Sequence, residues 1–325
     1  MKVCIVGAGA IGLVFGARLA ALGHQVSALA RGATLAALQD RGIRLEAGGA
    51  VVSHSVNPVA DSREAGIQDL VVVAVKEPAL AAVAAAIPPL LGPDTVVLTA
   101  MNGVPWWFFD GLPGPLHGTV LDAVDRSGAL RALIPTRHVM GCVVHMSCAS
   151  PEPGLSRIAL GNGIIVGEAA GGASPRLDAL ATELGRAGFD ARASASIQRD
   201  IWYKLWGNMT MNPMSALTGA TTDRILDDPL ANDLVVAVMS EAAAVGAAIG
   251  CPIAQTPGER NAVTRQLGAM RTSMLQDADR DRPLEIDALL AIVHEIAVRV
   301  GVPVPHTAGL LGLIRLFARQ RGLYA

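Results

Sequence analysis

KVCIVGAGAIGLVFGARLAALGHQVSALAR, residues 2–31, reads as a short apolar strand, a glycine-rich turn, a helix, a second strand and an arginine. Val3–Val6 is a buried-strand run, and Gly7, Ala8, Gly9, Ala10, Ile11 and Gly12 then carry the G-x-G-x-x-G spacing. Gly7 permits a tight turn, Gly9 lets the backbone approach a pyrophosphate, and Gly12 lets helix and strand pack closely. The helix that follows aims its free N–H groups and positive dipole end at that pyrophosphate. With 35 glycines in the chain the spacing alone decides little. Its strand–turn–helix setting makes Gly7–Gly12 the expected dinucleotide site. Arg31 lies just past the second strand, Gln25–Ala30, where an acidic residue would bond the ribose 2′-OH of NAD. A guanidinium there suits a 2′-phosphate, so NADP is expected over NAD; the alternative is an ordinary surface arginine.

Working outward, two other readings of the opening stretch fall away. A signal peptide has a charged start and an apolar core, but here three spaced glycines weaken the helix and Arg18 interrupts it. The stretch is also too short for a membrane span, which needs about 20 apolar residues. At 325 residues the chain exceeds one typical domain, which suggests two. It is 51% hydrophobic and 17% charged, ample material for buried strands and Ala-rich helices. No uninterrupted apolar run reaches the roughly 18 residues of a span. The net charge of -2 makes no electrostatic case for nucleic acid or an acidic membrane surface. Cys4, Cys142, Cys148 and Cys251 show no C-x-x-C spacing and no disulfide framework. No H-x-x-x-H pair occurs, so no metal site is expected. The chain reads as a reduced, soluble, cytoplasmic protein.

Beyond Arg31 a short helix (34–40) leads to Ile43–Glu46 and Val51–Val56, a hairpin around Gly48-Gly49 inserted in the parallel sheet. Asp69–Val75 (DLVVVAV) is apolar on both faces and delivers Lys76 to the carboxyl end of a central strand, where α/β sheets bind ligands. Thr95–Thr99 brings Asn102 to the same edge. Val104–Phe109 (VPWWFF) is either a helix start packed into the core or an apolar lid or subunit contact, with a homodimer as the assembly it would serve. Strands are expected at Val139–Ser147 and Ile158–Val166, turning at SPEPG, then a helix at 175–188 and a last strand to residue 195. From residue 197 only helices are expected: 200–212, 228–249, 257–276, 283–300 and 307–321. The fold is therefore an α/β Rossmann-like dinucleotide-binding domain, residues 1–195, followed by an all-α helical bundle domain, residues 196–325.

Within WYKLWGNMTMNP, residues 202–213, Lys204, Asn208 and Asn212 recur at i, i+4 and i+8. They line one helix face with a drift of about 40° per step. Trp202, Leu205, Trp206 and Met209 take the other faces. A lysine and two amides on a mostly buried helix form either an internal network or a polar stripe facing a substrate. Ser273, Gln276 and Asp277 follow in RTSMLQD, and Glu285 stands in the first turn of a helix begun at Pro283, where the N-terminus stabilises a carboxylate that either pairs with Lys204, holds a substrate hydroxyl or merely decorates the helix start.

The ordered set GAGAIG, Arg31, Lys76, Asn102-Gly103, KLWGNMTMNP, SMLQD and EID resembles the ketopantoate reductases (2-dehydropantoate 2-reductases) across essentially the whole chain. The resemblance implies NADPH-dependent reduction of a 2-oxo acid. It implies Lys204 as general acid, with Glu285 orienting substrate and cofactor. Asn208, Asn212 and Ser273 would contact the keto acid. Lys76 and Asn102 would serve the NADPH side, Asn102 bordering the substrate too, and Ser147 would lie near the nicotinamide. Two departures bear on specificity. The segment between Gly103 and Gly141 is longer than in compact members, and Met101 offers no extra polar group. The substrate is thus ketopantoate or another branched 2-oxo acid. A non-catalytic NADP sensor is the reading from another class, opposed by the joint presence of Lys204, Asn208, Asn212, Ser273 and Glu285.

Overall fold

A computed structural model describes residues 1–324. The chain forms two compact units, Met1–Met101 with Gly128–Ile197, and Asn102–Ser127 with Gln198 onward. Relative to the expected division at residue 195, the segment Asn102–Ser127 belongs with the second unit.

The first unit is built on short apolar runs that bury both faces. Its elements are β1 (Lys2–Val6), α1 (Ala10–Ala21), β2 (Gln25–Leu29), α2 (Gly32–Arg41), β3 (Ile43–Ala47), β4 (Ala50–His54), β5 (Asn57–Val59) and β6 (Leu70–Val73). Then come α3 (Glu77–Ala84), β7 (Val96–Thr99), α4 (Ala129–Leu133), β8 (Val139–Ala149), β9 (Leu155–Glu168), α5 (Pro175–Arg186) and β10 (Asp190–Ala193). The strands form one sheet in the order β4-β3-β9-β8-β7-β6-β1-β2-β5, with β10 also on β9. From β5 to β8 the pairing is parallel, and β9 returns antiparallel to β8. Every residue of β6 is buried, as a central parallel strand requires. In register, Val6, Val73 and Thr99 end their strands on one edge of the sheet.

The β3–β4 hairpin turns on Gly48 and Gly49 at φ 58° and 83°, the positive-φ pair of a two-residue hairpin. It lies at the sheet's rim, not inside the parallel region. Val51 and Val52 face solvent, and β3 finds its second partner in β9. The core gathers around α1, where Phe15 stacks on Phe189 at 4.6 Å between centroids. All four cysteines are free, and burial pushes the Cys4 thiol up to about 12.

Among the described residues the second unit contains no strand. Its helices are α6 (Ile197–Thr218), α7 (Thr222–Asp227), α8 (Pro229–Ala248), α9 (Pro257–Arg265), α10 (Ser273–Ala278), α11 (Ile292–Val300) and α12 (Pro305–Gln320). The single helix expected over 257–276 is two, because the chain reverses through Gly268 at φ 62° and Thr272 caps a new start on the Leu275 N–H. The helix expected from Pro283 begins instead as a π-helical turn, Asp287–Ala291, that runs into α11. By length and composition α8 is the one helix among the described residues that could cross a membrane. Here its carbonyls at Met239 and Ala242 accept the indole N–H groups of Trp206 and Trp202 at 2.7 and 3.2 Å. Its Glu241 accepts from the backbone at the start of α12.

Trp106, Trp107, Phe108 and Phe109 are all buried within this unit. They lie in successive turns rather than a helix, with Phe108 edge-on to Phe109 and 6.2 Å from Trp202. Of the two readings of this cluster, the core one describes the chain.

Candidate active site

The three motif glycines differ in what surrounds them. A Cβ on Gly7 would come within 2.6 Å of Val75 Cγ1 and 2.8 Å of the Ala74 carbonyl, and φ there is 102°. A Cβ on Gly12 would overlap the Gly7 carbonyl oxygen. Packing therefore requires both. A Cβ on Gly9 would meet nothing within 4 Å, at φ -92°, so neither packing nor strain explains that glycine. The space beside it suits a ligand approaching the backbone closely. Gly9 is also the N-cap of α1, with no side chain capping it and no acidic residue in the first turn. Those N–H groups and the positive helix end are left for an anion. The residues present thus fit a dinucleotide.

Arg31 is exposed at the end of β2 and makes no side-chain hydrogen bond or ion pair among the described residues. Its guanidinium is available to a phosphate. Lys76 caps α3 and follows directly on Ala74-Val75, the pair that abuts Gly7, so it stands beside the glycine turn. Ser147 lies within β8 rather than after it, exposed, at a break in register with β9. It is roughly 20 Å along the strand from the last pairing with β7, at about 3.3 Å per residue. Sequence reading missed Ser156, buried in β9, whose hydroxyl donates to the Ala10 carbonyl at 2.8 Å and holds β9 against the start of α1. Nothing in its neighbourhood of alternating residues marks it out.

In the second unit the face of α6 opposite Trp202 and Trp206 carries the polar stripe. Lys204 and Asn208 are half-buried and Asn212 is buried, because the drift of about 40° per step carries the row toward the packed side. Lys204 Nζ donates to Asn102 Oδ1 at 2.8 Å. Asn208 and Asn212 bring two amides, each able to donate and to accept, one and two turns further along the same face. Asn102 is held in turn by its neighbours. Gly103 sits at φ 81° with a Cβ position that would overlap Ala288, and the Val104 N–H donates to the Ala288 carbonyl at 3.0 Å. Ala288 belongs to the π-helical turn that begins just after Glu285, which is buried. Lys204, Asn102 and the Glu285 segment therefore form one connected group. Ser273 is exposed at the first turn of α10, and no described contact joins it to the stripe. A cation braced by an amide oxygen, with two further amides on its helix face, can bind a small polar anion and protonate an oxygen that gains charge.

Comparison with known proteins adds the family. Residues 3–107 match the family model described as ketopantoate reductase PanE/ApbA, and residues 196–318 match that of its C terminal. A 2-dehydropantoate 2-reductase of Mesorhizobium japonicum is 42% identical over 326 residues, covering 100% of both chains. A crystal structure from Ralstonia solanacearum MolK2, described as a candidate ketopantoate reductase, has 60% identity and a TM-score of 0.96 over 99% of each chain. D-mandelate dehydrogenase, solved with NADH and anilino(oxo)acetate, shares the fold at 21% identity and a TM-score of 0.85 over 99% of this chain and 100% of that one.

Proposed function

This chain belongs to the ketopantoate reductase family, and from that premise we propose that it reduces 2-dehydropantoate to pantoate with NADPH, on the route to pantothenate and coenzyme A. The observation that carries the reading is the Lys204–Asn102 bond of 2.8 Å on the helix face that also carries the amides of Asn208 and Asn212. Gly7–Gly12 would hold the pyrophosphate of NADPH, Arg31 would face its 2′-phosphate and Lys76 would stand alongside; the bound cofactor would supply a hydride. The negative charge that develops on the substrate's C2 oxygen is stabilised by the Lys204 ammonium, which then donates the proton. Asn102 keeps that ammonium in place without competing for the proton, since an amide oxygen is a far weaker base than an alkoxide. Asn208, Asn212 and Ser273 bind the carboxylate and hydroxyl with neutral donors, which adds no charge repulsion. Glu285 orients substrate and cofactor, and Ser147 serves the nicotinamide side. A cytoplasmic homodimer with a small 2-oxo acid as its partner completes the proposal.

The long segment after Gly103, and a fold shared with a dehydrogenase solved with another 2-oxo acid analogue, favour one second reading: a reductase of a different branched 2-oxo acid. Purified protein with NADPH and a panel of 2-oxo acids, followed by loss of reduced-nicotinamide absorbance, separates the two. Ketopantoate is expected to be the fastest substrate. Rapid turnover of another 2-oxo acid with ketopantoate inert would overturn the substrate and leave the chemistry standing.

A further inference from the structure

Glu285 lies in irregular backbone between α10 and the π-helical turn, where no regular helix fixes the main chain. The end of α12 grips this stretch at three levels. Arg321 donates to the Ala278 carbonyl at 2.8 Å and to Asp281 Oδ1 at 3.0 Å. One residue before Glu285, the Leu284 N–H donates to the carbonyl of Leu323, itself buried, at 3.0 Å. Two residues after it, Asp287 Oδ1 accepts the Tyr324 hydroxyl at 2.6 Å. The Tyr324 ring is braced by the guanidinium groups of Arg319 and Arg315, 5.4 and 5.8 Å from its centroid, and Arg315 also faces Asp287 at 3.5 Å. On its other side the same turn carries Ala288 against Gly103, next to the Asn102 that holds Lys204.

We propose that Arg321, Leu323 and Tyr324 form a positioning clamp that holds Glu285 in register with Asn102 and Lys204. The inference rests on the catalytic reading of Glu285 given above. Leu284 and Asp287 bracket Glu285, so two anchored points three residues apart leave its backbone little freedom. Burial, with Asp287 adding to it, raises the Tyr324 hydroxyl above its ordinary value, so the group remains a donor through neutral pH.

Steady-state kinetics and NADPH titration of Tyr324→Phe, Glu285→Ala and the double variant test the clamp. Tyr324→Phe loses one hydrogen bond and keeps the ring. It should lower kcat about three- to ten-fold and weaken NADPH binding by no more than Glu285→Ala does. In the Glu285→Ala background the same change should have no further effect, because nothing is left to position. Asp287→Asn keeps an oxygen that accepts from tyrosine and should recover most of the kcat that Asp287→Ala loses. Full additivity, an unaltered kcat in Tyr324→Phe, or equal losses in the two Asp287 variants would each overturn the clamp. Full activity in Glu285→Ala would remove the catalytic reading of Glu285 and the clamp together. Impaired Glu285→Ala with an additive Tyr324→Phe removes the clamp alone.

Discussion

Lys204 and Asn102 stand 102 positions apart in the chain and meet at 2.8 Å, so the central contact of the site is invisible to any local pattern. Each residue was legible separately, Lys204 from the four-residue period of its helix and Asn102 from its place after a buried strand; the bond between them was not. Lys204→Ala should lower kcat and kcat/KM together by about 10²- to 10⁴-fold, the usual worth of a positioned general acid, with NADPH affinity retained. Unchanged turnover would remove Lys204 from its role. The glycines give a second contrast. Gly9→Ala adds a methyl that meets no protein atom, so the unliganded protein should melt at the wild-type temperature while NADPH binding weakens. Gly12→Ala drives a Cβ onto the Gly7 carbonyl and should cost about 1–3 kcal/mol of stability, seen in denaturant unfolding. Equal melting temperatures for the two variants would show that the glycines are not divided between packing and ligand.

Elements with a strong period were readable, and their ends and joints were not. The stretch over 257–276 has enough helical character to suggest one helix, yet Gly268 and the Thr272 cap divide it. The π-helical turn at Asp287 has no sequence signature of its own, and Gly103 and Val104, far off in the chain, dock on its Ala288. The junction of β9 with α5 supplies a pH prediction. Burial pushes the Glu168 carboxyl up, but hydrogen bonds from Arg176 and the Ser174 hydroxyl, with the guanidinium charge, outweigh it and leave the group below its ordinary value of 4.5. A carboxylate lowered in the folded state stabilises it above the ordinary value, and that contribution is lost as pH falls through the lowered one. Melting temperatures taken on descending from pH 4.5 should therefore drop more steeply for the wild type than for Glu168→Gln. Parallel profiles would mean that the Glu168–Arg176 pair does not couple folding to protons.

For the molecule as a whole, the cofactor is the test of how the parts serve one reaction. NADPH at about a hundred times its Kd should stabilise the folded chain by about 2.7 kcal/mol, read as a rise in melting temperature. NADH at the same concentration should stabilise it less, and Arg31→Ala should erase most of the difference, since that exposed guanidinium is the group offered to the 2′-phosphate. Equal shifts from both cofactors in the wild type would leave Arg31 without a part in selection. By itself the sequence determined the glycine turn between β1 and α1, the buried central strands, the helical character of the later chain and the polar row on α6. Each of these is written in the spacing of near neighbours, where backbone geometry translates period directly into face. Only the tertiary structure decided the hairpin's place at the rim of the sheet, the burial of Trp106–Phe109, the membership of Asn102–Ser127 in the second unit, the docking of Gly103 on the turn after Glu285 and the bond of Lys204 to Asn102. Those outcomes depend on which distant surfaces exclude water together, and that competition is settled among residues many tens of positions apart.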